Sequence, residues 1–176
     1  MTDHKKDDNF RPICLLNTLS KLLERVNQSR LNRWARESNL YSTFQSGFRR
    51  HHQTADVLTR LLQQGREGLN NNKFTRVLLI DLAKAFDKIW HNGLIFTLHN
   101  KKIPNYLGKW IQNYLKDRKF QVKVCSYFSD SKNIQAGVPQ GSVLGPILFI
   151  IFFNSINKRT HSGLFADDLT KWMTSR

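Results

Sequence analysis

The sequence is poor in acidic residues, in cysteine and in long apolar runs. Only 13 of its 176 residues are Asp or Glu. Its two cysteines, Cys14 and Cys125, have neither the spacing nor the histidine partners of a zinc site, which predicts reduced thiols in or near the core of an intracellular protein. The longest apolar run, residues 143–153, is interrupted by Gly145-Pro146 and is too short to span a bilayer. These absences argue against a secreted disulfide scaffold and against a membrane-embedded protein.

Basic residues and a sizeable apolar fraction are what the chain does have. There are 28 Lys and Arg, so the formal net charge is +15, and 40% of the residues are hydrophobic. A chain of this length and composition forms one compact domain with a core. The charge favours a nucleic-acid partner over a membrane surface, although an inert basic surface is the alternative. The polar N-terminus is unlike a signal peptide, which predicts an intracellular location, in the cytoplasm, the nucleus or both.

Hydrophobic periodicity predicts the order of helices and strands. Two helices come first, at about residues 19–37 and from an N-cap at Thr54 to about 65–68. Residues 77–80 are predicted to be a fully buried strand with Asp81 at its C-terminal end. Further helices are predicted at 93–101, at 104–116 and from about 142, and further strands at 120–126, at about 132–135 and on both sides of Asp167-Asp168. This order predicts an α+β fold in which helices lie on one face of a largely antiparallel sheet.

The tetrapeptide Phe165-Ala166-Asp167-Asp168 is the strongest chemical signal. Adjacent carboxylates repel each other unless a cation neutralises them. If the fold brought Asp81 to the same place, the three would form an all-oxygen site suited to Mg²⁺ or Mn²⁺. Two such ions side by side are typical of enzymes that catalyse in-line attack at phosphorus. The alternative is that these aspartates only cap turns.

Five blocks, in order, resemble a reverse transcriptase, and specifically the polymerase of jockey-like non-LTR retrotransposons. The resemblance covers nearly the whole chain from Phe10 onward. The blocks are Arg11-Pro12-Ile13 with Leu15-Leu16-Asn17; Gln45-Ser46-Gly47-Phe48-Arg49; Leu79-Ile80-Asp81-Leu82-Ala83-Lys84-Ala85-Phe86-Asp87; Gly137-Val138-Pro139-Gln140-Gly141-Ser142-Val143-Leu144-Gly145-Pro146; and Phe165-Ala166-Asp167-Asp168.

The resemblance implies an RNA-directed DNA polymerase that works on an RNA template, a DNA primer and a deoxynucleoside triphosphate. Asp81, Asp167 and Asp168 would bind two divalent ions, Mg²⁺ or Mn²⁺. One ion would activate the primer 3′-hydroxyl, and the other would hold the triphosphate and stabilise the leaving pyrophosphate.

The resemblance also implies a set of nucleotide-binding and nucleic-acid-binding residues. Phe86 would be the aromatic gate whose ring excludes a ribose 2′-hydroxyl. Arg49 would bind the triphosphate, and Gln140 would bond to the sugar or base beside Gly141, which allows close backbone approach. Lys84, Ala85 and Phe86 would offer backbone N–H groups to the triphosphate. Arg11 and Arg50 would contact nucleic acid.

By the same resemblance the chain is a single fragment, with partial fingers at about 1–75 and a polymerase palm at about 76–176. A thumb and an endonuclease domain are expected to be absent, so the isolated chain is expected to be inactive. The alternative function is a catalytically silent RNA- or DNA-binding remnant of a retroelement. A full set of three carboxylates favours the polymerase, because a surface that only binds nucleic acid has no need of converging acids.

Overall fold

Two helices form the N-terminal part of the chain in the computed structural model, which describes residues 13–156 and 162–175. Helix α1 spans Thr18–Glu37, and its N-cap Asn17 accepts a hydrogen bond from the Ser20 amide at 2.7 Å. Helix α2 spans Thr54–Asn70, so it is longer than predicted. Its N-cap is Gln53 and not Thr54: the Gln53 amide donates to the carboxylate of Asp56 at 3.0 Å.

Strand β1 is Phe74–Ile80, and strands β6 (Ser162–Phe165) and β7 (Asp168–Ser175) lie at the other end of the chain. The three strands form one antiparallel sheet in the order β1-β7-β6. Ala166 and Asp167 form the turn between β6 and β7, which confirms the prediction of two strands joined at the aspartates. The α+β class with an antiparallel sheet is also confirmed.

The prediction that residues 77–80 are fully buried is wrong. Val77, Leu78 and Leu79 are 47%, 57% and 74% exposed. The reason is the position of β1 at the edge of the sheet, where β7 is its neighbour. The central strand is instead β7, which contributes the buried Trp172 and Leu169 although its sequence is more polar.

The sheet packs differently on its two faces. Helix α2 lies against one face, where a β-carbon added at Gly163 would collide with Val57 of α2 and contact the Trp172 ring. On the other face, Leu164 and its partner Leu169 join the main hydrophobic core. The end of the sheet that carries the aspartates is therefore fixed from both sides.

Three further helices build that core. They are α3 (His91–Asn100), α4 (Asn105–Leu115) and α5 (Gly145–Ile156), close to the predicted bounds. Helix α5 begins at Gly145 and not near 142, because the Ser142 hydroxyl accepts from the Gly145 amide at 2.9 Å and caps the helix start. The expectation of a buried core helix at 143–153 is confirmed by Leu148 and Ile150, which are 0% and 1% exposed.

The predicted strand at 120–126 is wrong as a continuous element. Residues 119–133 instead contain four two-residue strands in two antiparallel pairs: β2 (Lys119–Phe120) with β5 (Lys132–Asn133), and β3 (Lys123–Val124) with β4 (Tyr127–Phe128). All of these residues are exposed, so the alternating pattern has no core to face. Cys125 sits in the tight turn with φ of 54° and is exposed, contrary to prediction, whereas Cys14 is half-buried.

Within 13–156 and 162–175, the structure contains no helix that is long and apolar enough to cross a membrane.

Candidate active site

Two of the three predicted carboxylate residues, Asp81 and Asp168, lie at the same end of the sheet. Asp81 directly follows β1, and Asp168 is the first residue of β7. Ile80 pairs with Leu169 at the end of the β1–β7 register, and Asp81 and Asp168 are the next residues beyond that pair. Both residues line a single cavity of about 350 Å³ that is bounded by α2 and the sheet. The strand pairing therefore brings together residues that are far apart in sequence.

Asp167 has a different setting. It is half-buried in the turn between β6 and β7, and it is not among the residues that line the cavity shared by Asp81 and Asp168. In the part of the chain that the structure describes, no group of three or more carboxylate, histidine or cysteine side chains is placed to hold a metal ion. Convergence of all three carboxylates on two divalent metal ions stays a prediction.

A buried glutamine holds the turn that carries Asp167. Gln45 is 0% exposed, and its Oε1 accepts from the amides of Ala166 at 3.1 Å and Gly47 at 2.8 Å. Its Nε2 donates to the Ala166 carbonyl at 3.3 Å. Ala166 has φ of 57°, a left-handed conformation that costs energy for a residue with a β-carbon. The Gln45 amide thus stabilises a strained residue next to the aspartates.

Backbone contacts extend this attachment along strand β6. The Ser46 amide donates to the Leu164 carbonyl, and the Leu164 amide donates to the Phe44 carbonyl, both at 2.8 Å. A β-carbon added at Gly47 would collide with the backbone of Ala166. The loop at 44–47 therefore lies directly against the aspartate turn, and only glycine fits at position 47.

Phe86 lies in a row of aromatic rings. It begins a short 3-10 helix, Phe86–Lys88, and its ring stacks on Phe149 with centroids 4.7 Å apart. On its other side Phe48 makes an edge contact at 5.9 Å. Ala85, beside it, lines a second cavity of about 360 Å³ that also reaches Asp81. The ring of Phe86 is thus held between Phe48 and Phe149.

Lys84 precedes this aromatic turn and adopts φ of 56°. Its carbonyl accepts from the amides of Asp87 at 3.0 Å and Lys88 at 3.2 Å, which closes a tight turn directly after the aspartate strand. Binding of a triphosphate by the amides of Lys84, Ala85 and Phe86 stays a prediction.

Gln140 is held by a residue that the sequence analysis did not single out. Its Nε2 donates to both carboxylate oxygens of Asp87 at 3.1 Å. Gly141 has φ of 94°, and the Cys14 carbonyl approaches it closely: an added β-carbon would lie 3.2 Å from that oxygen. The Cys14 amide donates to the Gln140 carbonyl at 2.8 Å. The segment after Ile13 therefore packs on this turn.

Of the arginines predicted to bind nucleotide or nucleic acid, Arg49 is bonded to loop carbonyls. The Arg49 guanidinium donates to the carbonyls of Ser42 at 2.8 Å and Gln45 at 3.0 Å, and it lies 5.2 Å from the centre of the Tyr41 ring. Arg50 is exposed. Arg11 lies outside the described residues.

Burial influences two ionisable groups near these residues. Removal from water raises the pKa of Tyr41, and the positive charges of Arg36 and Arg49 oppose that effect. Its hydroxyl donates to Asn32 Oδ1 at 2.6 Å. Removal from water is also the main reason that the pKa of the Cys14 thiol is raised, which makes it a poor nucleophile at neutral pH. Neither group is therefore a candidate for the chemistry.

Three residues were missed by sequence reasoning: Gln45, Gly47 and Asp87. All three lie within the motif blocks that carry the family resemblance, which is the signal that could have found them. Their roles depend on contacts across 121 residues for Gln45 and 53 for Asp87, and local sequence patterns do not report such contacts.

Comparison with known sequences gives a consistent set of relatives. The profile of the family described as reverse transcriptase (RNA-dependent DNA polymerase) matches residues 4–176. The chain is 39% identical over 145 residues to a probable RNA-directed DNA polymerase from transposon BS of Drosophila melanogaster, which covers 82% of the chain and 16% of that protein. It is 36% identical over 153 residues to the RNA-directed DNA polymerase from mobile element jockey of the same species, covering 87% of the chain and 17% of that protein.

Comparison with solved structures supports the same fold. Telomerase from Candida tropicalis, solved with a fragment of telomeric RNA, superposes with a TM-score of 0.62 at 15% sequence identity, covering 90% of this chain and 29% of that one. The apo form of that telomerase, truncated from its C-terminal domain, gives a TM-score of 0.61 at 16% identity, over 89% of this chain and 34% of that one. The chain spans less than a fifth of the two transposon polymerases and about a third of the telomerase chains.

Proposed function

Because this chain belongs to the reverse transcriptase family, as a domain of the non-LTR retrotransposon type, we propose that it forms the catalytic part of an RNA-directed DNA polymerase. The proposed reaction joins a deoxynucleotide to the 3′-hydroxyl of a DNA primer on an RNA template. Residues 13–75 would act as part of the fingers and the sheet with its helices as the palm.

The placement of Asp81 and Asp168 at one end of the sheet is the observation that carries the proposal. Asp81 follows the last residue of β1 and Asp168 is the first residue of β7, and both lie directly beyond the last residue pair that joins these two strands. Two acids that line one cavity do not stabilise the sheet by themselves, because like charges repel. The arrangement is well explained by a positively charged ligand between the strands.

The residues present fit a divalent cation by the chemistry of their donors. Members of this family use divalent metal ions, and the oxygens of Asp81 and Asp168 are of the type that Mg²⁺ and Mn²⁺ prefer. Asp167, one residue away in the turn, is the proposed third ligand. When bound, such ions make the primer hydroxyl a better nucleophile and neutralise charge on the pyrophosphate that leaves.

Other side chains would orient the nucleotide. Phe86, held between Phe48 and Phe149, would set its ring against the position of the ribose 2′-carbon and so favour deoxynucleotides. Gln140, fixed by Asp87, would present its free amide oxygen towards the sugar or base. The tight turn after Asp81 would direct the amides of Lys84, Ala85 and Phe86 at the triphosphate. Arg49 would supply positive charge, and Arg11 and Arg50 would contact nucleic acid.

The second candidate is a domain that binds nucleic acid without catalysis. The net charge of +15 favours phosphate binding of either kind. It does not account for the two carboxylate residues that line one cavity, Asp81 and Asp168, which would weaken the attraction to a polyanion.

A chimeric polymerase tests the proposal. This chain would replace the matching segment of the Drosophila jockey polymerase, and extension of a DNA primer on an RNA template would be measured with and without Mg²⁺. We expect metal-dependent synthesis that falls by at least about 100-fold when Asp81→Asn or Asp167→Asn removes a charged ligand, because metal-site removal costs several kcal/mol of transition-state stabilisation.

Asp130→Asn is the matched control, since Asp130 is an exposed acid in the 119–133 region. It should leave synthesis unchanged. Full synthesis by the Asp81→Asn chimera would refute the metal-site assignment. A folded chimera that binds primer–template and gives no product at any metal concentration would favour the non-catalytic candidate.

A further inference from the structure

A buried carboxylate outside the candidate active site holds the backbone just before α5. Glu24, on α1, is only 2% exposed. Its Oε2 accepts hydrogen bonds from the amides of Val143 at 2.7 Å and Leu144 at 3.3 Å. Glutamate is almost never buried to this degree unless its carboxylate is compensated. Here two backbone donors satisfy the carboxylate, which ties residues 143–144 to α1.

A neighbouring residue of α1 adds a third hydrogen bond to the same segment. Gln28 lies about one turn after Glu24, and its Nε2 donates to the Val143 carbonyl at 2.9 Å. The bonds of Gln28 and Glu24 to Val143 span 115 and 119 residues of sequence, so they exist only in the folded chain. Helix α1 therefore contacts both peptide groups that flank Val143. We call these three hydrogen bonds the α1 anchor.

The anchored segment connects two parts of the candidate active site. Gln140 lies three residues before Val143, in the turn at 137–144. Helix α5 begins just after the anchor, and its first turns carry Phe149, whose ring stacks on Phe86. A shift of residues 143–144 would therefore move both Gln140 and the ring that supports Phe86.

The charge of Glu24 suits its place in the fold. The N-terminal end of an α-helix has a partial positive charge, and α5 begins at Gly145, next to the anchored amides. Hydrogen bonds from backbone amides to a carboxylate are also stronger than those to a neutral acceptor. The α1 anchor therefore holds this segment more firmly than contacts between apolar side chains would.

We propose that Glu24, assisted by Gln28, is a positioning residue for nucleotide binding. The α1 anchor sets the position of Gln140 relative to the ring of Phe86, the two side chains that would contact the base and the sugar. Glu24 acts through these residues and not by contact with the nucleotide. The role in nucleotide binding rests on the proposed function, whereas the anchor itself belongs to the folded chain.

Steady-state kinetics of the chimeric polymerase test this role. Glu24→Ala should raise KM for the deoxynucleoside triphosphate by at least about 10-fold and change kcat by less than about 3-fold, because it loosens the contacts to sugar and base and leaves the metal ligands in place. Glu24→Gln keeps an oxygen that can accept both amide bonds, so its KM should lie within about 3-fold of that of the unmodified chimera. Gln28→Ala removes one bond at a half-buried position and should raise KM about 3-fold.

Asn27→Ala is the matched control. Asn27 is also a buried polar residue of α1, but its Nδ2 donates to the Leu23 carbonyl of the same helix. A loss of stability alone reduces the fraction of folded enzyme, which lowers the apparent kcat and leaves KM unchanged. We expect an unchanged KM for Asn27→Ala. An unchanged KM in Glu24→Ala or in Gln28→Ala would overturn the proposal.

Amide hydrogen exchange in the 176-residue chain measures the α1 anchor without catalysis. We expect Glu24→Ala to accelerate exchange at residues 143–144 and in the turn at 137–141 by at least about 10-fold, and Asn27→Ala to leave it unchanged there. Equal exchange at 137–141 in the two variants would overturn the proposal even if the chimera is inactive. The expected exchange pattern together with an inactive chimera would instead refute the proposed function, and the role in nucleotide binding with it.

Discussion

The side-chain amide of Gln45 bonds to both backbone polar groups of Ala166, the residue directly before Asp167. Gln45 is completely buried, and a buried polar side chain is costly unless its donors and acceptors are satisfied. The side-chain amide of Gln45 makes the hydrogen bonds to Ala166 that a neighbouring strand would make inside a sheet. The position of the aspartates thus depends on a loop more than a hundred residues earlier in the chain.

Gln45→Ala should destabilise the fold by about 2–4 kcal/mol. The change leaves the buried amides of Gly47 and Ala166 without acceptors and creates a small cavity. Urea unfolding followed by circular dichroism measures the effect. Gln63→Ala, at an exposed position of α2, is the control and should cost less than about 0.5 kcal/mol. Equal effects of the two substitutions would show that the Gln45 contact contributes little.

Gly137→Ala should be destabilising, by about 2–4 kcal/mol. Gly137 has φ of 89°, and an added β-carbon would lie 2.7 Å from the Asp87 carbonyl oxygen. The same chemical change at Gly65, inside α2 with open space around it, should stabilise by about 0.5–1 kcal/mol. Opposite shifts of the two melting temperatures are the expected result. A tolerated Gly137→Ala would show that the turn at 137–140 can move away from Asp87.

Phe86→Val in the chimeric polymerase should increase incorporation of ribonucleotides relative to deoxynucleotides. Removing the ring opens the space that a 2′-hydroxyl needs, so discrimination should fall by at least about 10-fold, which corresponds to about 1.4 kcal/mol. Comparison of kcat/KM for the two nucleotide types gives the ratio. Phe96→Val, at a ring on α3 that is 67% exposed, should not change it. A ratio unaffected by Phe86→Val would restrict that ring to packing against Phe149.

Tyr114 should make stability decline at high pH. Burial is the main cause that raises the pKa of Tyr114 to about 12 from the usual 10. Because the folded-state pKa is raised, the associated stability is fully present below pH 10 and is lost as pH rises towards 12. The loss should be about 2 kcal/mol. The free energy of unfolding of Tyr114→Phe should decline less steeply with pH over this range. That of Tyr106→Phe, at an exposed position, should follow the unmodified chain. Parallel pH curves for all three proteins would contradict the prediction.

The sequence predicts the placement of the aspartates better than it predicts burial. Asp81 follows an apolar run and Asp168 begins another strand, and both positions are local properties of the chain. Which strand occupies the centre of the sheet is not local. The apolar β1 lies at the edge, and β7, which contains Thr170 and Lys171, lies between its two neighbours. Strand order depends on contacts between distant segments, so hydrophobicity alone misassigned the buried strand.

Local sequence patterns also could not predict the contacts that fix the site, because these contacts join distant segments of the chain. Asp87 holds Gln140, and Gln45 holds Ala166, through pairings that only the folded chain creates. The alternation of apolar and polar residues at 120–126 led to a different error, the prediction of a continuous strand that the structure does not contain. Its period of two is that of a strand, yet Val122 and Val124 are exposed and no sheet face is available to them.

The outer edge of β1 affects how the chain behaves in concentrated solution. In the part of the chain that the structure describes, no strand pairs with that edge, and the apolar side chains of Val77, Leu78 and Leu79 stand beside it. Such an edge is a template for intermolecular strand addition. We expect the charges of Arg76 and Asp81, on either side of this apolar run, to act as gatekeepers against it. Neutralising Asp81 to test the metal site therefore also removes one of these gatekeepers, so self-association of that variant should be measured before a loss of synthesis is assigned to the lost ligand.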